Sequence, residues 1–375
     1  MDICTKFGLT RVINAIGTPT IVGANVAAPE VASATAEALQ LNFEIDTLQR
    51  AACRLIARIT GAEAGCVTSS ASSALAITAA AAMTGANLAR IMRLPDTDGL
   101  PDEVLLHQAH DVNFGARISQ MVRLSGARVV WVGTANHADA FQLRGAITPR
   151  TAALLYVVTG AVHPEGDFIP LSDCVSIAAE RSIPVIVDAA AEPDVRPFVQ
   201  AGAALVITSG HKAMGAPTSG LICGRKELVR ACYLQNWGIG RAMKVGKEGI
   251  VGLMAALERW CSLDREAELG RYQEVIAVLR QAFPVETTSQ PHRVAVSVEQ
   301  PRRVANLLRE GDPPVWVHDA RDGRIVLDLR ALTAEDAQIA ARKISGALAD
   351  PRPPREDVPY HDLYWSEARL LRWPD

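Results

Sequence analysis

The chain has 375 residues, 49% hydrophobic and 21% charged, with a formal net charge of −3. That balance excludes a disordered chain, and a pI near 6.3 lacks the broad positive charge that a dedicated nucleic-acid binder uses. The length suits one large α/β domain with a smaller companion, and small molecules are the expected partners.

The seven cysteines (Cys4, Cys53, Cys66, Cys174, Cys223, Cys232 and Cys261) are dispersed, odd in number and without a CxxC pair. They read as reduced thiols of a cytoplasmic protein. The N-terminus shows no export pattern. The most apolar stretch, SSALAITAAAAMTGANLARIM from Ser72, consists mainly of small residues and contains Gly85 and Asn87. It predicts a buried helix rather than a membrane span.

Residues 1–45 include RVINAIGTPTIVGANVAAPEV, where Gly17, Pro19, Gly23 and Pro29 punctuate any regular element, so an irregular arm is expected. From Asp46 to Thr60 the apolar positions Leu48, Ala51, Ala52, Leu55 and Ile59 recur at helical spacing, with Gly61 as the stop. A short strand, AGCVT, follows.

Five further apolar or β-branched runs come next: EVLLH, RVVWVG, AALLYVV, PVIVD and ALVITS, with helical stretches such as ISQMVRLSG and DCVSIAAERS between them. This alternation predicts a large domain over 46–235 with a mainly parallel sheet covered on both faces. Ligands in such sheets bind at the carboxyl ends of the strands. Over 236–350 long amphipathic helices (Lys247 to Phe283), strands in PVWVHD and GRIVLDL, and a helix from Ala334 predict a smaller α+β domain. The Pro-rich DPRPPRED ends it. The tail, 351–375, carries Tyr360, Tyr364, Trp365 and Trp373, which suit packing on this chain or on a partner subunit.

Lys212 follows the strand ALVITS and precedes a Gly and Pro rich turn in TSGHKAMGAPTSG. An amine at a strand's carboxyl end can form an imine with an aldehyde cofactor once burial or nearby positive charge lowers its pKa. A solvated surface lysine fits the same position. Asp188 ends the strand PVIVD in a neighbouring βα unit, where it could cap a helix, make an ion pair, or hold a protonated pyridine nitrogen.

In VTSSASSA a strand runs into a helix, and Ser69, Ser70 and Ala71 are the candidate phosphate contacts at that helix N-terminus. A hydroxyl-rich cap without a ligand would look alike. In HQAHDVNFGA, His110 is placed to stack on or bond near a pyridine ring, with Asn113 and Phe114 shaping the wall. His107 and His110 also raise the question of a metal, but no third ligand is visible and no metal is expected. The chain has no GxxxxGK[ST] loop, and GIGRAMKVG does not complete GxGxxG, which removes support for nucleotide chemistry.

Phosphate loop, ring-contacting loop, strand-end Asp and then Lys is the order found in fold-type-I pyridoxal phosphate (PLP) enzymes. The sequence resembles the SelA-like PLP enzymes, and within them the D-glucosaminate-6-phosphate ammonia-lyase type. RVINAIGT, TGAEAGCVTSSAS, HQAHDVNFGA, PVIVDAAAE, SGHKAMGAPTSGLICGR, GIGRAMKVGKE and LREGDPPVWV with GRIVLDLRAL carry the likeness.

The resemblance implies that Lys212 holds PLP as a Schiff base, that Asp188 partners the pyridine nitrogen, and that Ser209 and His211 lie beside the phosphate or imine. His211 departs from the Gly or Asp expected before the lysine in many relatives. The INATG-like segment begins near Arg11, which leaves out the RNA-binding region that precedes it in the selenium transferases and predicts no nucleic-acid partner.

The expected activity is α,β-elimination on a hydroxylated amino acid or amino sugar acid, giving ammonia and a 2-oxo acid. Arg330 is the candidate for the substrate carboxylate. Arg241, Lys244 and Lys247 could bind a phosphate across a homodimer or higher homo-oligomer, or form a solvated helix start. Racemisation or epimerisation, and a tRNA-dependent selenium transfer, are the alternative readings.

Overall fold

The computed structural model of the chain describes residues 2–158, 166–320 and 322–359. Residues Ala27–Cys261 form one compact unit, and residues up to Val26 form a second with those from Ser262 onward.

The larger unit is built on strands β1 Ala64–Thr68, β2 Glu103–His107, β3 Arg128–Val132, β4 Thr151–Val157, β5 Val185–Asp188, β6 Leu205–Ser209 and β7 Gly220–Gly224. Among the described residues they form a sheet in the spatial order β1-β7-β6-β5-β4-β2-β3. All neighbours are parallel except β7, which runs antiparallel to β1 and β6. β1, β2, β5, β6 and β7 are buried along their length, as strands covered by helices on both faces must be. The expected mainly parallel α/β architecture is therefore present.

The register sets the site. Gly220 pairs with Thr68 on one side and with Ser209 on the other, while Asp188 pairs with Val157 and Ile207. The carboxyl ends of β1, β4, β5 and β6 thus lie side by side on one edge. A Cβ at Gly220 would lie 2.3 Å from the Ser70 carbonyl oxygen, so glycine is what lets the loop after β1 close over β7.

The Ile45–Thr60 helix buries Leu48, Ala52, Leu55, Ile56 and Ile59 and stops at Gly61, whose φ is 75°. Three sequence expectations change. The stretch from Ser72 is not one helix: Ala71–Thr84 ends at Gly85, and Leu88–Arg93 starts again under an Asn87 cap. Part of the supposed arm is regular, because Pro29 opens a helix, Pro29–Gln40, that buries Val31 and Ala38.

The Lys247–Cys261 helix belongs to the larger unit, not to a domain starting at 236. Its buried Ile250, Leu253, Ala256 and Leu257 join the core of Val31, Leu48 and Leu55.

In the second unit a four-stranded antiparallel sheet runs in the order His318–Ala320, Arg324–Asp328, Arg293–Ser297, Glu286–Thr287. Arg293–Ser297 is not among the expected strands, although Val294, Val296 and Val298 alternate as a strand's do. Ile13–Asn14 pairs in parallel with Val315–Trp316, which draws the start of the chain into this unit. Helices Arg265–Arg280, Pro301–Arg309 and Ala334–Ala349 cover it, the last capped by Thr333. The tail's Tyr360, Tyr364, Trp365 and Trp373 lie outside the described residues. Among those residues no helix is long and apolar enough to cross a membrane.

Candidate active site

Asp188 ends β5 with 5% of its surface exposed. The one hydrogen bond to its carboxylate among the described residues comes from Ala190 N, 3.0 Å from Oδ1. Burial pushes the carboxyl up to about 6, against the Ala190 amide and the charge of Lys212. Burial likewise pulls the Lys212 amine below its ordinary value, with the Asp188 charge acting the other way. The two groups therefore sense each other across adjacent strand ends.

Ser209 ends β6, and the chain turns through Gly210 and His211 to Lys212. Ser209 Oγ lies 3.5 Å from His211 Nδ1. His211 Nε2 is buried with no hydrogen-bond partner among the described residues. Desolvation, and then the Lys212 charge, lower the pKa of this ring and favour its neutral form.

At the end of β1, Ser70 caps the Ala71–Thr84 helix. Ser73 N donates to Ser70 Oγ at 3.0 Å, and Ser70 N donates to Ser73 Oγ at 3.0 Å. Ser69 Oγ donates to Ser73 Oγ at 3.1 Å. The cap engages the amide and the hydroxyl of Ser70, and the amides of Ala71 and Ser72 are first-turn donors without an intrahelical acceptor. Ser72, Ser73 and Gly220 were not singled out from sequence, although the S-x-x-S spacing of a capping box was there to read.

His110, 3% exposed, follows β2 in a short 3-10 turn. Val157 N donates to its Nδ1 at 3.3 Å. Its ring packs edge-on against Tyr156, 4.8 Å between centroids. Asn113 and Phe114 lie exposed at the tip of the next loop. Among the described residues no cluster of three or more His, Cys, Asp or Glu side chains is placed for a metal ion.

Arg330 lies in the second unit. Its Nε and Nη2 donate to Asp328 at 2.9 and 2.7 Å. Arg293 Nε is 3.3 Å from the same carboxylate. Burial pushes the Asp328 carboxyl up, but Arg330's hydrogen bonds and charge outweigh it and hold the group below the usual carboxylate range. Arg241 and Lys244 are exposed, while Lys247 Nζ donates to the Leu41 carbonyl. The structure thus gathers Ser69, Ser70, Ala71, His110, Asp188, Ser209, His211 and Lys212 in the larger unit, with Asn113 and Arg241 on its surface.

The family described as SelA: L-seryl-tRNA selenium transferase matches residues 12–283. The chain belongs to the SelA family. This SelA-family chain is 46% identical over 259 residues to D-glucosaminate-6-phosphate ammonia lyase of Salmonella typhimurium (strain 14028s / SGSC 2262), covering 69% of this chain and 70% of that protein. It is 36% identical over 365 residues to 5'-C-glycyluridine monooxygenase-decarboxylase of Streptomyces sp, covering 92% and 91%.

Its structure matches that of a D-glucosaminate-6-phosphate ammonia-lyase with a TM-score of 0.86 and 37% identity, over 93% of this chain and 100% of that one. A Thermus thermophilus aspartate aminotransferase double mutant, with a TM-score of 0.50 and 19% identity over 92% and 94%, shares the fold alone. The fold is that of fold-type-I PLP enzymes.

Three features of the SelA-family chain fit PLP. A buried carboxylate with one hydrogen bond calls for a cation, His211 Nε2 has no hydrogen-bond partner among the described residues, and the helix after β1 begins with amides that no intrahelical carbonyl can satisfy.

Proposed function

We propose that the chain is a PLP-dependent lyase. It expels the β-hydroxyl of a hydroxylated amino acid or amino sugar acid, D-glucosaminate-6-phosphate or a close analogue, as water, and hydrolysis of the resulting enamine takes one water back, releases ammonia and leaves a 2-oxo acid. The observation that carries this reading is the buried Asp188 carboxylate at the end of β5, with the Lys212 amine just after the adjacent β6 and the charge of each acting on the other.

PLP, when bound, supplies an aldehyde for an amine and a ring that accepts electrons. Lys212 would hold that aldehyde, Asp188 would keep a proton on the ring nitrogen, and Ser69 with the Ala71 and Ser72 amides would hold the phosphate. The Lys212 amine, whose pKa burial lowers, would act as the base toward the substrate's α-proton. The same amine can pass that proton to the departing β-hydroxyl, which then leaves as water. His110, held by Val157, would wall the ring on one side. Arg330, Arg241 and Asn113 remain the candidates for the substrate's acid and hydroxyl groups.

The seven free cysteines support a reducing, cytoplasmic setting. Leu39, Leu41, Phe43 and Ile45 stand exposed at 58%, 45%, 40% and 45%, and support a homodimer or higher homo-oligomer.

The test is incubation of PLP-loaded protein with D- and L-hydroxy amino acids and phosphorylated amino sugar acids, with assays for ammonia and 2-oxo acid. Ammonia release without RNA, lost in Lys212→Ala, supports the lyase. Exchange of the α-proton without ammonia would make it a racemase or epimerase. Salt-sensitive seryl-tRNA binding without ammonia would make it a selenium transferase. Substrate-dependent oxygen uptake without ammonia would align it with the Streptomyces relative.

A further inference from the structure

Among the described residues three rings pack around His110. Centroid separations are 4.9 Å for His107 and His110, 4.8 Å for His110 and Tyr156, 4.8 Å for His107 and Phe168, and 6.0 Å for His110 and Phe168. His107, His110 and Tyr156 sit at or directly after strand ends, so the sheet places them. Phe168 lies on a loop, outside any named strand, and needs another anchor.

The segment Gly166–Asp167–Phe168 supplies it. A Cβ at Gly166 would lie 2.0 Å from Phe168 Cζ, so glycine is what allows the ring to fold back. Asp167 N donates to the Asn136 carbonyl at 3.1 Å, and Ala138 N donates to the Asp167 carbonyl at 3.1 Å.

The Asp167 carboxylate lies 3.3 Å from His137 Nδ1, while His137 Nε2 lies 3.0 Å from Asp139 Oδ2. A carboxylate only accepts, so both contacts at once need both ring nitrogens protonated. Asp139, from the same loop, and Asp167, from the segment beside it, are the charged groups facing this ring among the described residues. The Asp139 hydrogen bond and charge, with Asp167, lift His137 above its ordinary 6.5.

From this geometry we infer that His137 and Phe168 are positioning residues for His110, and that their hold is tightest while His137 carries its proton. His137 tethers Asp167, Asp167 carries Phe168, and Phe168 closes the ring set around His110. This rests on the reading of His110 as a wall of the PLP site.

The experiment compares wild type, His137→Gln, Asp167→Asn, Phe168→Leu and His110→Ala. It measures the His137 titration by NMR before PLP is added, then PLP affinity and visible circular dichroism against pH. His137 should titrate above 6.5 in wild type and lower in Asp167→Asn. Wild-type PLP affinity should fall as pH rises through that same value, and His137→Gln should flatten the dependence. Phe168→Leu should weaken PLP roughly 2- to 10-fold, the size of one aromatic contact, and His110→Ala by at least as much.

A perturbed His110→Ala beside an unaltered Phe168→Leu, or a wild-type pH profile in His137→Gln, overturns the inference and leaves the site reading standing. A silent His110→Ala removes the site reading, and the inference with it.

Discussion

Asp188 and Lys212 each act on the other's proton: the amine's charge lowers the pKa of the buried carboxyl, and the carboxylate raises that of the desolvated amine. Neither effect overcomes burial, so Asp188 remains up at about 6 and Lys212 below its ordinary value. A buried carboxylate with a single hydrogen bond and an amine whose proton is held less tightly than in water are what an aldehyde cofactor with a cationic ring calls for.

Asp188→Asn should lower kcat by roughly 10²- to 10⁴-fold while the protein still takes up PLP. Steady-state kinetics on samples of measured PLP content check this. Turnover equal to wild type at full PLP loading removes Asp188 from the mechanism.

The same substitution should stabilise the protein before PLP is added. A carboxyl raised from 3.8 to about 6 binds its proton more tightly folded than unfolded, so its contribution to stability falls as pH climbs from 3.8 through 6. The cost at neutral pH is at most about 3 kcal/mol. At pH 7 the melting temperature of Asp188→Asn should therefore exceed that of wild type, and PLP should raise the mutant's less. A mutant that melts lower without PLP contradicts an uncompensated carboxylate.

Gly220→Ala should strike the phosphate loop from below, because the added Cβ would meet the Ser70 carbonyl oxygen at 2.3 Å and Thr68 Oγ1 at 2.5 Å. Overpacking of this kind costs about 1–3 kcal/mol, and displacement of the Ser70 cap should weaken PLP. Denaturant unfolding and PLP titration read both effects. Wild-type values in both would show that the close approach is not required.

Much of this site was legible in the sequence, because its pieces sit at the ends of short apolar runs. ALVITS and PVIVD mark their strands by β-branched residues, which places Ser209, Lys212 and Asp188 on one edge. The partners of those pieces were not legible. Gly220 matters through a neighbour more than a hundred residues away, and the rings of His107, Tyr156 and Phe168 come from three segments that meet only in the folded chain. The Lys247–Cys261 helix shows the same limit: its apolar stripe announces a helix but not which core will bury it.

Phe43→Glu should weaken the proposed assembly, since it puts a charge among the exposed Leu39, Leu41 and Ile45. Sedimentation should show a larger species for wild type and a shift toward monomer for the variant. An active wild-type monomer at assay concentration contradicts an oligomer.

The most direct test is borohydride reduction of the PLP-loaded protein followed by peptide mapping. The account predicts absorbance on the order of 410 to 430 nm before reduction and one reduced adduct, on Lys212, absent in Lys212→Ala. A protein saturated with PLP that yields no adduct, or one labelled on another lysine, would contradict it.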